Sequence, residues 1–107
     1  MMRYRVVFRR EAIRHLEYLQ DYIVEAGSPT NASAFVDAII SFCESLAHFP
    51  YRGISRDDIR QGLRTIGYRK RVIVSFTILD DVVAILGVFY GGRDHETVLL
   101  DIGDNVD

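Results

Sequence analysis

Between Arg69 and Arg93 the chain first alternates and then saturates in apolar residues. Val72, Val74, Phe76 and Ile78 alternate with Ile73, Ser75 and Thr77, the period-two pattern of a strand with one buried face. Val82–Tyr90 is apolar on both faces, which suits a central strand better than an edge. Asp80-Asp81 stands between the two runs, where a two-residue hairpin turn belongs. Leu63–Ile66 is a shorter run, with Gly67-Tyr68 read as its turn into the next. The stretch predicts a three-stranded antiparallel meander with a basic near end.

Upstream the period changes. Tyr4, Val6 and Phe8 alternate with Arg3, Arg5 and Val7, predicting a short opening strand. Ala12, Leu16, Leu19 and Ile23 then recur on one face of a helix from about Arg10 to Glu25, with Gly27 as its stop. Ser28-Pro29 reads as an N-cap and a first-turn proline, opening a second helix that runs to about Phe49 before Pro50. Its expected core stripe is Phe35, Ile39, Phe42, Leu46 and Phe49. The short connection predicts an antiparallel helical hairpin. Tyr51–Gln61 reads as a polar loop, Thr97–Leu100 as one more short strand or turn of helix, and Gly103–Asp107 as a frayed acidic end. The whole is a single α+β domain, in the order β-α-α-β-β-β, with the hairpin packed on one face of an antiparallel sheet.

Both helices carry more apolar surface than one buried face needs. Tyr18, Tyr22 and Ala26 form a shoulder on the first, and Val36, Ile40, Cys43 and Ala47 a second strip on the other. Either the sheet wraps far enough to cover them, or they form an apolar groove that a partner chain fills.

Composition sets the class. At 49% apolar and 26% charged, the chain is globular, and 107 residues suffice for a core without disulfides or structural metal. Cys43 is the only cysteine, no apolar run reaches membrane-spanning length, and MMRYRVVF is too short in apolar residues for a signal peptide. A soluble, cytoplasmic protein is expected. Net charge is only −2, but all 13 basic residues fall in Arg3–Arg14, Arg52–Arg71 and Arg93, and all but Lys70 are arginine. No base lies between His15 and Tyr51 or after Arg93, while acids do. The pattern describes solvated faces of opposite sign, or a basic surface presented to an acidic or phosphate-bearing partner.

Covalent chemistry has little support. His15, His48 and His95 lie in separate elements, no cluster has ligand spacing, and Gly87 and Gly91-Gly92 lack a phosphate-loop pattern, so neither metal nor cofactor is expected. Cys43 reads as packing rather than a nucleophile. A metal-free ribonuclease would need arginines for the phosphate and one His or Tyr to move protons; Arg60, Arg64, Arg71, Tyr90, Arg93 and His95 supply those types.

The element order, Phe49-Pro50-Tyr51-Arg52-Gly53, the run Asp57–Arg64 and Gly91-Gly92-Arg93-Asp94 together resemble the ParE branch of the RelE/ParE toxin superfamily, plasmid-stabilisation type. The resemblance runs from Tyr4 to about Asp94. It implies the toxin half of a type II toxin–antitoxin module, held in a hetero-oligomer by a ParD-like antitoxin with a ribbon-helix-helix part. DNA would be reached only indirectly, through that antitoxin. ParE-type members act on DNA gyrase, so the resemblance implies a gyrase inhibitor. On this reading Tyr18, Tyr22, Val36, Ile40, Cys43, Arg64 and Arg71 meet the antitoxin, and Arg60, Tyr90, Arg93 and His95 the target.

RelE-type ribonucleases place basic residues on the central strands and a His or Tyr after the last. Arg64 and Arg71 match the basic places and Arg93 the terminal arginine. Gly92, however, stands where the His falls, and Glu96 or Thr97 near the Tyr. A non-catalytic toxin is therefore expected, with a ribosome-dependent mRNA endonuclease and a toxin fold that has lost toxicity as alternatives.

Overall fold

Four apolar side chains at helical spacing orient the first helix. In the computed structural model, which describes residues 3–25, 29–69 and 71–90, helix α1 spans Arg10–Glu25 and buries Ala12, Leu16 and Leu19. Ile23 packs half-buried at the edge of the same cluster. Each large side chain removed from water this way contributes about 1.5–3 kcal/mol.

Helix α2, Pro29–Glu44, is rolled away from its expected orientation. Its buried residues are Ala32, Val36, Ile39 and Cys43, a stripe turned by roughly 60° at 3.6 residues per turn. Phe35 and Phe42 lie half-buried at the flank, and Phe49 is exposed. Size explains the roll. The hairpin packs closely only through small and medium side chains, and the bulkier rings find room over the end of the sheet. The helix also stops earlier than Phe49: after Glu44 comes one 3₁₀ turn, Ser45–Ala47, which buries Leu46 and Ala47.

The sheet has five strands: β1 (Arg5–Phe8), β2 (Ile54–Ser55), β3 (Leu63–Tyr68), β4 (Val72–Leu79) and β5 (Val82–Tyr90). Their spatial order is β1-β5-β4-β3-β2. The expected α+β arrangement is present, with two refinements. Strand β1 runs parallel to β5, Arg5 opposite Val82 and Phe8 opposite Ile85, so the sheet is antiparallel except at that edge. The stretch expected to be a polar loop contains β2, paired antiparallel with Arg64 and Thr65.

Strands β4 and β5 meet as the alternation predicts, Leu79 opposite Val82 across Asp80-Asp81. Asp80 takes φ +56°, which an aspartate tolerates better than most residues. The preceding turn lies elsewhere than expected: Gly67 and Tyr68 belong to β3, and Tyr68 pairs with Val72, so the chain reverses after Tyr68.

The apolar saturation of β5 has two causes. Val83, Ile85 and Val88 face the helices with Val72, Val74 and Phe76. Between Ile85 and Gly87 the register against β4 slips, so Leu86 is an added residue. It joins Leu63 and Phe89 in a smaller cluster with Ile59, Ile73 and Ala84. One strand thus serves two cores on opposite faces.

That second core is held under the loop before β3. Arg56 donates from Nε and Nη2 to the two carboxylate oxygens of Asp58, at 3.0 and 2.9 Å, and the bonded guanidinium lowers the Asp58 pKa. Asp57 accepts from the Gly62 N–H at 2.8 Å. Gly53 has φ +76°, and a Cβ there would lie 2.2 Å from the Thr65 carbonyl oxygen. The expectations for Gly27, Ser28, Thr97–Leu100 and 103–107 lie outside the described residues.

Candidate functional site

Rolling α2 puts its two flanking phenylalanines against tyrosines of the sheet. Phe42 stacks on Tyr68 of β3 with ring centroids 4.5 Å apart. About two turns nearer the helix start, Phe35 meets Tyr90 of β5 edge-on at 5.8 Å. Tyr90 in turn lies 6.2 Å from Tyr22 of α1. Arginines join the rings: Arg69 lies over both Phe35 (5.6 Å) and Tyr68 (5.1 Å), and Arg52 over Phe42 (5.5 Å). Each such contact contributes about 0.5–1 kcal/mol at an exposed site. Arg64 extends the row, donating from Nε to the Arg52 carbonyl at 3.1 Å and lying 5.8 Å from the Tyr51 ring.

The result is one connected strip of rings and guanidinium groups, from Tyr22 in the last turn of α1 to Tyr51 beyond β3. None of Arg52, Arg64 and Arg69 forms an ion pair with a described residue. Tyr18 is 67% exposed and Tyr22 53%, with Tyr51 similarly open to water. Such a surface offers stacking area, fixed cations and little self-neutralisation, so it suits an acidic, partly apolar partner.

The expected contact residues divide. Tyr18 and Tyr22 are exposed, Ile40 is half-buried, Arg64 lies in the strip and Arg71 is exposed in the β3–β4 turn. Val36 and Cys43 require correction: at 6% and 0% exposure they belong to the core, because the roll of α2 turns them inward. Burial, with the Glu44 charge adding to it, pushes the Cys43 thiol up to about 12. That thiol is protonated and inert at neutral pH.

The expected target contacts are not gathered in one place. Tyr90 lies on the helix side with the strip, whereas Arg60 lines a groove on the opposite face of the sheet, about 540 Å³ in volume. That groove also carries Arg5, Arg9 and Arg10 over a floor that includes Val7, Ala84 and Leu86, with Asp80 and Asp81 at its rim. Arg93 and His95 lie outside the described residues. Among the described residues, no group of His, Cys, Asp or Glu could hold a metal ion, and no helix is long and apolar enough to cross a membrane.

Sequence reasoning missed Phe35, Phe42, Tyr68, Arg69 and Arg52. The available signal was the seven-residue spacing of the two phenylalanines, which puts them on one line along a helix.

Comparison with known proteins places these features. A family model described as the ParE toxin of the type II toxin–antitoxin system parDE matches residues 6–95. No curated protein sequence matches the chain. Among solved structures, a chain of the chromosomal ParDE toxin–antitoxin system from P. aeruginosa superposes with a TM-score of 0.72 at 21% identity, covering 84% of this chain and 98% of that one. A chain of the toxin–antitoxin complex RelBE2 from Mycobacterium tuberculosis gives 0.59 at 22% identity, covering 83% and 99%. At these identities the two likenesses establish the fold.

Proposed function

The chain belongs to the ParE toxin family of type II toxin–antitoxin systems, and on that premise we propose that it acts by docking. It binds and inhibits DNA gyrase in the cytoplasm, makes or breaks no covalent bond itself, and is neutralised by a ParD-like antitoxin laid along the aromatic–arginine strip. The observation that carries this reading is the strip itself: Tyr22, Phe35, Tyr68 and Phe42 are joined through ring contacts and arginines that pair with no carboxylate among the described residues. An acidic antitoxin segment with apolar anchors supplies both missing halves. The groove with Arg5, Arg9, Arg10 and Arg60 lies on the other face, where it stays open to a target.

A purified chain should stop gyrase supercoiling at a stoichiometric excess and lose that effect when the antitoxin is added. Supercoiling untouched while translation stops would overturn the gyrase reading.

Ribonuclease action is the second reading. It draws on the RelBE2 likeness in fold and on the arginines of the same groove, which suit a phosphate backbone. The described residues lining that groove include no His or Tyr, the proton carriers of the RelE-type reading, and its carboxylates are Glu11, Asp80 and Asp81. Cuts in phase with codons, mapped at transcript 5′ ends after induction, would favour the nuclease.

A further inference from the structure

The turn from β3 to β4 holds a residue where glycine would sit without strain. Arg69 follows Tyr68, whose partner across the turn is Val72, and takes φ +55°. At that φ a Cβ crowds its own backbone, so asparagine, aspartate or glycine is the usual occupant. Arginine has no short polar arm to offset the crowding. Backbone strain retained at one position invites a functional explanation for the side chain placed there.

The side chain has a defined position. Its guanidinium lies over Phe35 and Tyr68, 5.6 and 5.1 Å from the ring centroids. Contact with two rings restricts the plane and leaves N–H edges directed elsewhere. No hydrogen bond or ion pair to a described residue uses those donors. Beside it opens a hollow of about 580 Å³ whose walls are Tyr22, Ile23, Asn31, Ala34, Phe35 and Tyr90, and none of its described lining residues is acidic. Mostly apolar walls, with Asn31 the polar exception, and one fixed planar cation paired with no described carboxylate describe a receptor for an apolar group bearing a carboxylate. A carboxylate matches one guanidinium fork in charge and shape, whereas a phosphate dianion calls for more cations and wetter walls.

We propose that this hollow is the anchor site for the antitoxin, taking a Leu- or Phe-sized side chain while a neighbouring Asp or Glu carboxylate docks on Arg69. This rests on the docking reading above and adds its specificity element: Arg69 fixes the register of the bound segment. Lysine cannot replace it, because an ammonium neither stacks flat on the rings nor forks to two oxygens.

Two measurements test it. The ¹⁵N-labelled full chain is titrated with 3-phenylpropionate, with 3-phenylpropan-1-ol and phenyl phosphate as separate arms. Saturable shifts at the Arg69, Phe35 and Tyr90 amides are expected for the carboxylate, weaker ones for the phosphate and the alcohol, and none for the carboxylate in Arg69→Gly. Equal response to carboxylate and alcohol, or a stronger one to phosphate, would overturn the assignment. In the second measurement, Arg69→Gly and Arg69→Lys should each bind the antitoxin at least about tenfold more weakly, the scale of one lost charge-assisted hydrogen bond. Arg69→Gly should melt close to the parent chain, since relief of the strained φ offsets the two lost ring contacts, and this separates recognition from misfolding. If the parent binds the antitoxin and Arg69→Gly binds equally well, the anchor is wrong and docking stands. If the parent binds no antitoxin, docking itself fails, and the carboxylate titration alone decides what the hollow recognises.

Discussion

His15 accepts a hydrogen bond at Nδ1 from the backbone N–H of Val88, 3.0 Å away. Strand β1 pairs with β5 only as far as Ile85, so beyond it the edge of β5 faces α1 instead of a strand. The imidazole supplies the acceptor that a neighbouring strand would have offered. Its ring also lies 5.1 Å from that of Phe89, and Gly87 makes the approach possible: a Cβ there would sit 3.1 Å from His15 Cε1.

Replacing His15 by Ala should therefore destabilise the fold by about 1–3 kcal/mol, the scale of leaving a part-buried donor unmet. Urea unfolding measures the loss, and amide exchange locates it. The Val88 proton should exchange faster relative to that of Val74, and equal acceleration of both would contradict the assigned bond.

Gly53→Ala should cost more. The substitution meets both a positive φ and the Thr65 carbonyl at 2.2 Å, for a combined loss of about 2–5 kcal/mol. Thermal unfolding of the variant should show a large drop, and β2 pairing to Thr65 should be lost first in exchange experiments.

Cys43 gives the pH signature. Burial pushes its thiol to about 12 from an ordinary 9.0, so the folded chain holds the proton longer than the unfolded chain does. The stabilising contribution is complete below about pH 9 and declines as pH rises toward 12. Comparing the slope of unfolding free energy between pH 8 and about pH 11 in the parent and in Cys43→Ala isolates it; the parent should fall more steeply. A thiol reagent at pH 8 should react with Cys43 only after denaturant is added.

Tyr22→Asp and Val36→Asp separate surface from core. Tyr22 is exposed, so its substitution should shift stability by no more than about 0.5 kcal/mol while weakening the antitoxin complex by about 2 kcal/mol or more. Val36 is buried, and a carboxylate there should cost several kcal/mol of folding free energy. Calorimetric binding paired with thermal melts reads both. Intact affinity in Tyr22→Asp would remove that end of the strip from the interface.

Much of the framework was legible because it rests on local periodicity. The alternation of Val72–Ile78, the Asp80-Asp81 turn and the α1 stripe all survive in the fold. What escaped depends on partners distant in sequence. Phe35 and Val36 are both apolar, and only the tight fit against α1 and the sheet decides which goes inside. Strand β2 has two residues, too few for any period to register. The Leu86 bulge is invisible because every residue around it is apolar. Arg69 carries no signal in the sequence because its importance comes from an unusual backbone angle and from rings on α2 and β3.

The pairing of Arg5 with Val82 also bears on how the protein is made. The first strand has no neighbour in the sheet until the last described one has been synthesised, so a nascent chain carries its opening segment unmatched through most of translation. Contacts this far apart in sequence form slowly and together. Assembly is therefore a late event at the ribosome exit, and premature termination anywhere before Val82 should yield a fragment with neither surface formed.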